Sequence, residues 1–265
     1  MALIHAQFYS QSLMRSVPFC AFIPIEKPAQ GEDAFKKSAQ FQKGLKTLYL
    51  LHGLSGCETD WITLTCVRAY AAKKNLALIM PSAENRFYID GALPNERYGT
   101  FVGEELVNAS RALFNLSERR EDTFIAGLSM GGAGAIRSAC LYPETFSAAA
   151  GLSSAFLNSV HLAGNNPSFS QKWADSVFGS VENMEQTYKN AAKSLKERTK
   201  RELYPRFYLG CGTEDFLIEA NRDFHRFLSE NGIEHRYEES PGIHDWNFWD
   251  AGIKKVIDWL CPDAE

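Results

Sequence analysis

The sequence predicts an α/β fold: a mostly parallel, eight-stranded sheet with an antiparallel N-terminal edge and helices on both faces. Three observations carry that prediction. Two leading segments alternate apolar with polar residues, later segments are short continuous apolar runs, and helical stretches separate those runs. Alternation marks strands with one wet face. Continuous runs mark strands covered on both faces, as in parallel sheets whose crossovers are helices.

The elements follow in order. Ile4, Ala6 and Phe8 form the first alternating set, and Val17, Phe19, Ala21, Ile23 and Ile25 the second. Together they are expected to pair as the antiparallel edge. The polar stretch from Glu26 to Gly44, with Pro28 and Gly31, reads as a surface loop. Five apolar runs come next, at Leu48–Leu51, Leu76–Met80, Thr123–Ala126, Phe146–Ala150 and Phe207–Leu209, and the more polar Ile233–Glu238 completes the sheet. Helical periodicity is clear at Leu217, Ala220, Phe224, Phe227 and Leu228, and again at Trp246, Trp249, Ile253, Val256, Ile257 and Leu260. Residues 154–204 are longer than an ordinary crossover. They carry Phe156, Phe169, Trp173, Phe178 and a polar patch at Asn165-Asn166-Pro167, and read as a partly helical, cap-like insertion over the active-site end of the sheet. Residues 1–265 otherwise read as a single domain.

A chain of 265 residues buries roughly three quarters of its unfolded surface, so neither disorder nor a stapled mini-fold is expected. Its net charge of −4 leaves no footprint for nucleic acid. No apolar run reaches the roughly eighteen residues of a membrane span. Met1 to Gln7 lacks the basic flank and apolar centre of a secretory signal. Cys20, Cys57, Cys66, Cys140, Cys211 and Cys261 form no Cys-x-x-Cys pair, which fits a cytoplasmic protein with reduced thiols. A homo-oligomer is compatible with all of this.

Chemistry concentrates in Thr123-Phe124-Ile125-Ala126-Gly127-Leu128-Ser129-Met130-Gly131-Gly132-Ala133-Gly134-Ala135. Gly127, Ser129 and Gly131 spell Gly-x-Ser-x-Gly, with an apolar strand before and a helix-like stretch after, the setting of a nucleophile elbow. Gly131, Gly132 and Gly134 would each cost about 1 kcal/mol relative to alanine in an ordinary helix. That helix is therefore expected to approach the sheet closely. A packing seam with an incidental serine is the plainer alternative. Gly151-Leu152-Ser153-Ser154-Ala155 lacks the last glycine and reads as a strand end.

A serine hydroxyl needs a base, and the base a carboxylate to orient it. His225 falls on an amphipathic helix and His235 alternates along a strand, so both read as structural. His244 lies in Ser240-Pro241-Gly242-Ile243-His244-Asp245-Trp246, at a strand end where doubly wound sheets place ligands. It is the candidate base, with helix capping as its plainer role. For the acid, Gly210-Cys211-Gly212-Thr213-Glu214-Asp215 offers Asp215 or Glu214, and an aspartate there can also be an N-cap. Two backbone N–H groups must face the developing oxyanion. Met130, after the serine, is one candidate. Leu54, in His52-Gly53-Leu54-Ser55-Gly56 directly after an apolar run, is the other. His52 precedes the serine and is expected to hydrogen-bond structurally. Trp246 belongs to a core stripe yet stands near enough to His244 to touch substrate. No metal or cofactor motif occurs. The basic residues from Lys189 to Arg201 are interleaved with acidic ones and read as a solvated face.

Four segments together resemble a known family. They are Leu50-Leu51-His52-Gly53-Leu54-Ser55-Gly56, Phe124-Ile125-Ala126-Gly127-Leu128-Ser129-Met130-Gly131-Gly132, Cys211-Gly212-Thr213-Glu214-Asp215-Phe216-Leu217 and Gly242-Ile243-His244-Asp245-Trp246. This combination is similar to the bacterial tributyrin esterase group. That group lies in the esterase D-like branch of α/β-hydrolases, alongside acetyl esterases, feruloyl esterases and S-formylglutathione hydrolases. The resemblance runs from Phe8-Tyr9-Ser10 to the last helix. It implies a Ser129, Asp215 and His244 triad, oxyanion amides from Leu54 and Met130, and substrate contacts near Asp60-Trp61 and Phe87-Tyr88. Gly53-Leu54-Ser55-Gly56 and His244-Asp245-Trp246 depart from the Gly-Leu-Thr-Cys and His-Ser-Tyr patterns of S-formylglutathione hydrolases, which disfavours a glutathione thioester.

The expected function is therefore a serine carboxylesterase that hydrolyses small, short-acyl esters through an acyl-enzyme, without a cofactor. Feruloyl or acetyl-polysaccharide esterase activity is the alternative. A catalytically dead hydrolase fold used for binding is the non-enzymatic one.

Overall fold

The computed structural model describes residues 1–25, 43–157, 171–179 and 181–262. Eight strands form one sheet in the order β1-β2-β4-β3-β5-β6-β7-β8. β1 (Ala2–Ser10) and β2 (Arg15–Ile23) form an antiparallel hairpin, and β2 runs antiparallel to β4 (Leu76–Pro81). The remaining strands are parallel: β3 (Lys46–Leu51), β5 (Thr123–Leu128), β6 (Ala148–Leu152), β7 (Arg206–Gly212) and β8 (His235–Ser240).

The continuous apolar runs are explained by burial on both faces. Along β3, Leu48 and Leu50 join one core cluster while Tyr49 and Leu51 join the other. β4 and β5 divide in the same way, with Ile79 and Ile125 on the side opposite Leu78 and Phe124. Each fully buried Leu, Ile or Phe adds about 1.5–3 kcal/mol. Tyr98–Thr100, a π-helical turn at Phe101–Glu105 and α3 (Leu106–Leu113) follow one another, and with α4 (Met130–Leu141) and α7 (Ile218–Glu230) they cover the first face. The second face is covered by α1 (Asp60–Leu64), α2 (Val67–Lys73) and α8 (Trp246–Leu260).

The segment read as an insertion contains α5 (Gln171–Phe178) and α6 (Val181–Arg198). Trp173 and Phe178 pack edge-on against Phe87, with ring centroids 5.7 and 5.2 Å away. The polar patch at 165–167 and Phe169 lie outside the described residues, as does most of the 26–44 loop. Among the described residues no helix is long and apolar enough to cross a membrane.

Parallel strands deliver their C-terminal ends to one edge, where such sheets bind ligands. β3 runs out into His52, β5 into Ser129, β7 toward Asp215 and β8 toward His244. Four segments far apart in the chain therefore meet at that edge.

Candidate active site

Ser129 occupies the tight turn between β5 and α4, with φ 51° and ψ −118°. That left-handed backbone is strained for a residue with a side chain and persists only where its surroundings enforce it. Here the Ser129 N–H donates to Leu152 O at 2.9 Å, and its carbonyl accepts from Ala155 N–H at 2.9 Å. The glycines around it answer to close approach. A Cβ at Gly127 would stand 2.3 Å from Gly131 O, and one at Gly131 would stand 2.5 Å from Leu51 O. The helix thus rests almost directly on the strand ends.

His244 Nε2 lies 3.1 Å from Ser129 Oγ, and His244 Nδ1 lies 2.8 Å from Asp215 Oδ2. A carboxylate only accepts, so Nδ1 carries the proton and the Nε2 lone pair faces the serine hydroxyl. The other Asp215 oxygen accepts from Leu217 N–H at 2.8 Å. Burial alone would favour the neutral acid, but the bonds from His244 and Leu217 stabilise the anion and hold its pKa below the ordinary aspartate value. Asp215 is buried, whereas the His244 side chain is 19% exposed, so the chain of groups opens to solvent at its reactive end. Glu214, the other candidate acid, faces away from the imidazole. Its Oε2 accepts from Gly242 N–H at 2.7 Å and ties the two loops together. Helix capping at α8 falls to Asp245, which accepts from Phe248 N–H.

The imidazole sits between two rings. Trp249 meets it edge-on at 4.9 Å from the interior, and Phe216, 64% exposed, lies 4.6 Å away on the solvent side. Trp249 Nε1 donates to Ser153 Oγ at 3.1 Å, and Ser153 itself has φ 46° at the end of β6. Sequence reasoning missed both residues, because a tryptophan on a core stripe and a serine at a strand end look like ordinary packing.

The His52–Gly56 loop lies beside the serine, since a Cβ at Gly53 would be 3.5 Å from Ser129 Cβ. Met130 opens α4, so its N–H belongs to the first helical turn, whose donors have no acceptor within the helix. Leu54 follows Gly53 and packs partly against the core. His52 is buried and held by two backbone groups. Its Nδ1–H donates to Gly53 O at 2.7 Å, and its Nε2 accepts from Ala83 N–H at 3.0 Å. Burial pushes its pKa below the ordinary histidine value and keeps it neutral.

The structure places Trp61 and Tyr88 in the interior rather than on an exposed wall of the site. Both are fully buried. Trp61 Nε1 donates to Leu51 O at 3.0 Å, and the Tyr88 hydroxyl donates to His52 O at 2.9 Å. An aromatic side chain near a site reads as a contact surface, but here the polar atoms hold the two carbonyls that lead into the loop. Trp246 is half-buried and packs edge-on against Trp61 and Trp249, at 5.5 and 5.1 Å. A cavity of about 340 Å³ lies behind the histidine loop, lined by Tyr208, Glu238, Pro241, Ile243, Phe248 and Lys255, and Ser129 is not part of it. Among the described residues no group of three or more His, Cys, Asp or Glu could hold a metal ion.

The arrangement can move a proton from a serine hydroxyl to an imidazole whose charge a buried carboxylate would balance. Comparison with known proteins gives the relationship. The chain matches the esterase family model, described as "Putative esterase", over residues 36–259. It is 36% identical over 272 residues to an acetyl esterase of Caldicellulosiruptor saccharolyticus, with both chains covered in full. Among solved structures it is similar to FphF, a fluorophosphonate-binding serine hydrolase of Staphylococcus aureus with substrate bound. The TM-score is 0.84, with 31% identity and 99% of each chain covered. It is also similar to the S-formylglutathione hydrolase FrmB of the same organism, at TM-score 0.81 and 28% identity over 98% of each chain. The chain belongs to the esterase family and is a carboxylic ester hydrolase with the α/β-hydrolase fold.

Proposed function

We propose that this serine carboxylesterase hydrolyses short-acyl esters with Ser129 as nucleophile, His244 as general base and Asp215 as its orienting acid. The observation that carries the assignment is the continuous Ser129–His244–Asp215 hydrogen-bond chain. Ser129 Oγ attacks the ester carbonyl as His244 Nε2 takes its proton. The tetrahedral oxyanion is held by the amides of Leu54 and Met130. His244 returns the proton to the leaving alcohol, and water then cleaves the acyl-enzyme by the same route. Trp61 and Tyr88 hold the oxyanion loop rather than the substrate, and Trp246 backs the histidine wall. The helical segment within 154–204 is the part of one domain that shapes specificity.

Short acyl chains are favoured by the acetyl esterase relative. The S-formylglutathione hydrolase neighbour keeps a thioester as the second reading. Six free cysteines support a reducing, cytoplasmic setting. Turnover of p-nitrophenyl esters from acetyl to decanoyl, with S-formylglutathione in parallel, tests the assignment. Activity that peaks at the shortest chains and disappears in Ser129→Ala is expected. A peak at long chains removes the short-acyl reading, and activity that survives Ser129→Ala removes the nucleophile.

A further inference from the structure

β5 and β6 end side by side, because Leu128 pairs with Leu152, and each strand is followed by a serine in a left-handed turn. Ser129 has φ 51° and Ser153 has φ 46°. Ser129 N–H donates to Leu152 O, one strand over, and Ser153 N–H repeats the pattern with Gly210 O of β7 at 2.7 Å. A positive φ is uncommon for a residue with a side chain, and it persists where the surroundings enforce it, most often at functional sites. At Ser129 the nucleophile turn explains it. Ser153 carries the same strain while fully buried.

The Ser153 hydroxyl stands between α8 and Asp215. Trp249 Nε1 donates to Ser153 Oγ at 3.1 Å. An indole N–H is a donor only, so the oxygen accepts there and keeps its own proton to give. Two acceptors adjoin it, the Cys211 thiol and the Asp215 carboxylate. Burial raises the Cys211 pKa to about 12, so the thiol stays neutral and accepts weakly. The proton therefore goes to the carboxylate, where a charge-assisted bond is stronger. At Asp215 burial favours the neutral acid, and the bonds that oppose it come from His244, from Leu217 N–H and from Ser153. Oδ2 takes the His244 bond and Oδ1 the Leu217 bond, which leaves lone pairs on both oxygens for a further donor.

We propose that Ser153 is a positioning residue for ester hydrolysis: its hydroxyl, aimed by Trp249 Nε1–H, donates to the Asp215 carboxylate and fixes the orientation in which that carboxylate meets His244 Nδ1. The inference rests on Asp215 as the orienting acid of the Ser129–His244–Asp215 chain. His244 changes charge during turnover, and Leu217 N–H is a single anchor. A further donor, held between β6 and α8, keeps the carboxylate in place while the imidazole takes up and returns a proton. Trp249 also meets the His244 ring edge-on at 4.9 Å. One side chain thus sets the ring directly and its carboxylate through Ser153.

The test compares kcat and KM on p-nitrophenyl acetate among single and double variants of the full chain. Ser153→Gly removes the hydroxyl and suits φ 46° better than serine does, so the turn keeps its shape. It should lower kcat by about ten- to a hundredfold with KM little changed, the worth of one hydrogen bond to a charged group. In the Asp215→Asn background the same change should cost about twofold or less, because it acts through the carboxylate. Trp249→Phe keeps a ring and removes the N–H. It should lower kcat in the same sense and add nothing to Ser153→Gly. Ser154→Ala removes a neighbouring buried hydroxyl that has no hydrogen-bond partner, and should leave kcat unchanged. Wild-type kcat in Ser153→Gly, a loss matched by Ser154→Ala, or the same loss in the Asp215→Asn background as in wild type overturns the proposal. Wild-type kcat in Asp215→Asn alone removes the acid assignment itself, and the role of Ser153 with it.

Discussion

Ser129 Oγ and His244 Nε2 lie 3.1 Å apart although 115 residues separate them in the chain. The parallel sheet makes this possible, because β5 and β8 end at the same edge. Ser129→Ala and His244→Ala should each lower kcat by about 10⁴–10⁶-fold, and the double variant should lose little more, since triad members act as a unit. Kinetics on p-nitrophenyl acetate measure the loss. A fluorophosphonate probe should label the folded wild type and leave Ser129→Ala unlabelled.

Asp215→Asn should keep the fold and lower kcat by about 10⁴-fold, because an amide no longer fixes the imidazole with its proton on Nδ1. The same change alters acid stability. The folded chain holds this carboxyl below its ordinary value, so it binds the proton more weakly than the unfolded chain does. The stability gained is complete above about pH 4 and disappears as pH falls through the lower folded value. Acid unfolding of Asp215→Asn should lack that component. Superimposable wild-type and variant acid curves would count against the carboxylate being ionised in the native state.

His52 titrates with the same sign. Burial depresses its folded pKa, so the unfolded chain takes up the proton first as pH drops below about 6.5. Stability is full above that value and declines as pH falls toward the lower folded value. His225, also lowered by burial and by His235, adds to the slope. Urea unfolding of His52→Gln at pH 8 and 5.5 should show a smaller loss than wild type. An equal loss in both would mean that the buried ring carries no linkage.

Gly131→Ala places a Cβ 2.5 Å from Leu51 O and 2.6 Å from His52 O, both of them backbone atoms that cannot swing aside. The helix must back away from the sheet. Destabilisation of about 1–3 kcal/mol is expected, together with a fall in kcat as Met130 N–H shifts. A melting temperature and kcat equal to wild type would show that the helix has room to spare.

Phe216 lies 4.6 Å from the His244 ring and is 64% exposed, so it leaves a free aromatic face beside the imidazole where an ester's alcohol part can pack. Phe216→Ala should raise KM for aryl esters by about two- to tenfold relative to methyl esters, in line with one lost aromatic contact. An equal change for both ester classes would reduce Phe216 to a shield for the histidine.

Much of the fold is legible in the residues themselves. Leu48 to Leu51 and Leu76 to Met80 are apolar at every position because both faces are buried, and Ile4, Ala6 and Phe8 alternate because one face is wet. The Gly127–Ser129–Gly131 spacing records a steric requirement of the turn, and so it survives in the linear pattern. The strand ends were less exact. Phe146 stands before β6 and the strand continues to Leu152, since pairing with β5 and β7, not apolarity, fixes its limits.

What the linear chain determined was which residue types were available and in what order. Tertiary structure decided which of them meet. Glu214 and Asp215 are neighbours in sequence, and only the fold turns one carboxylate to the imidazole and the other to Gly242 N–H. Trp61 and Tyr88 read as aromatic residues near the site, and only the fold shows that both are buried and bonded to the Leu51 and His52 carbonyls. Ser153 and Trp249 carry no local signature at all. A contact between segments a hundred residues apart depends on strand order and helix packing, and neither is encoded at the positions that touch.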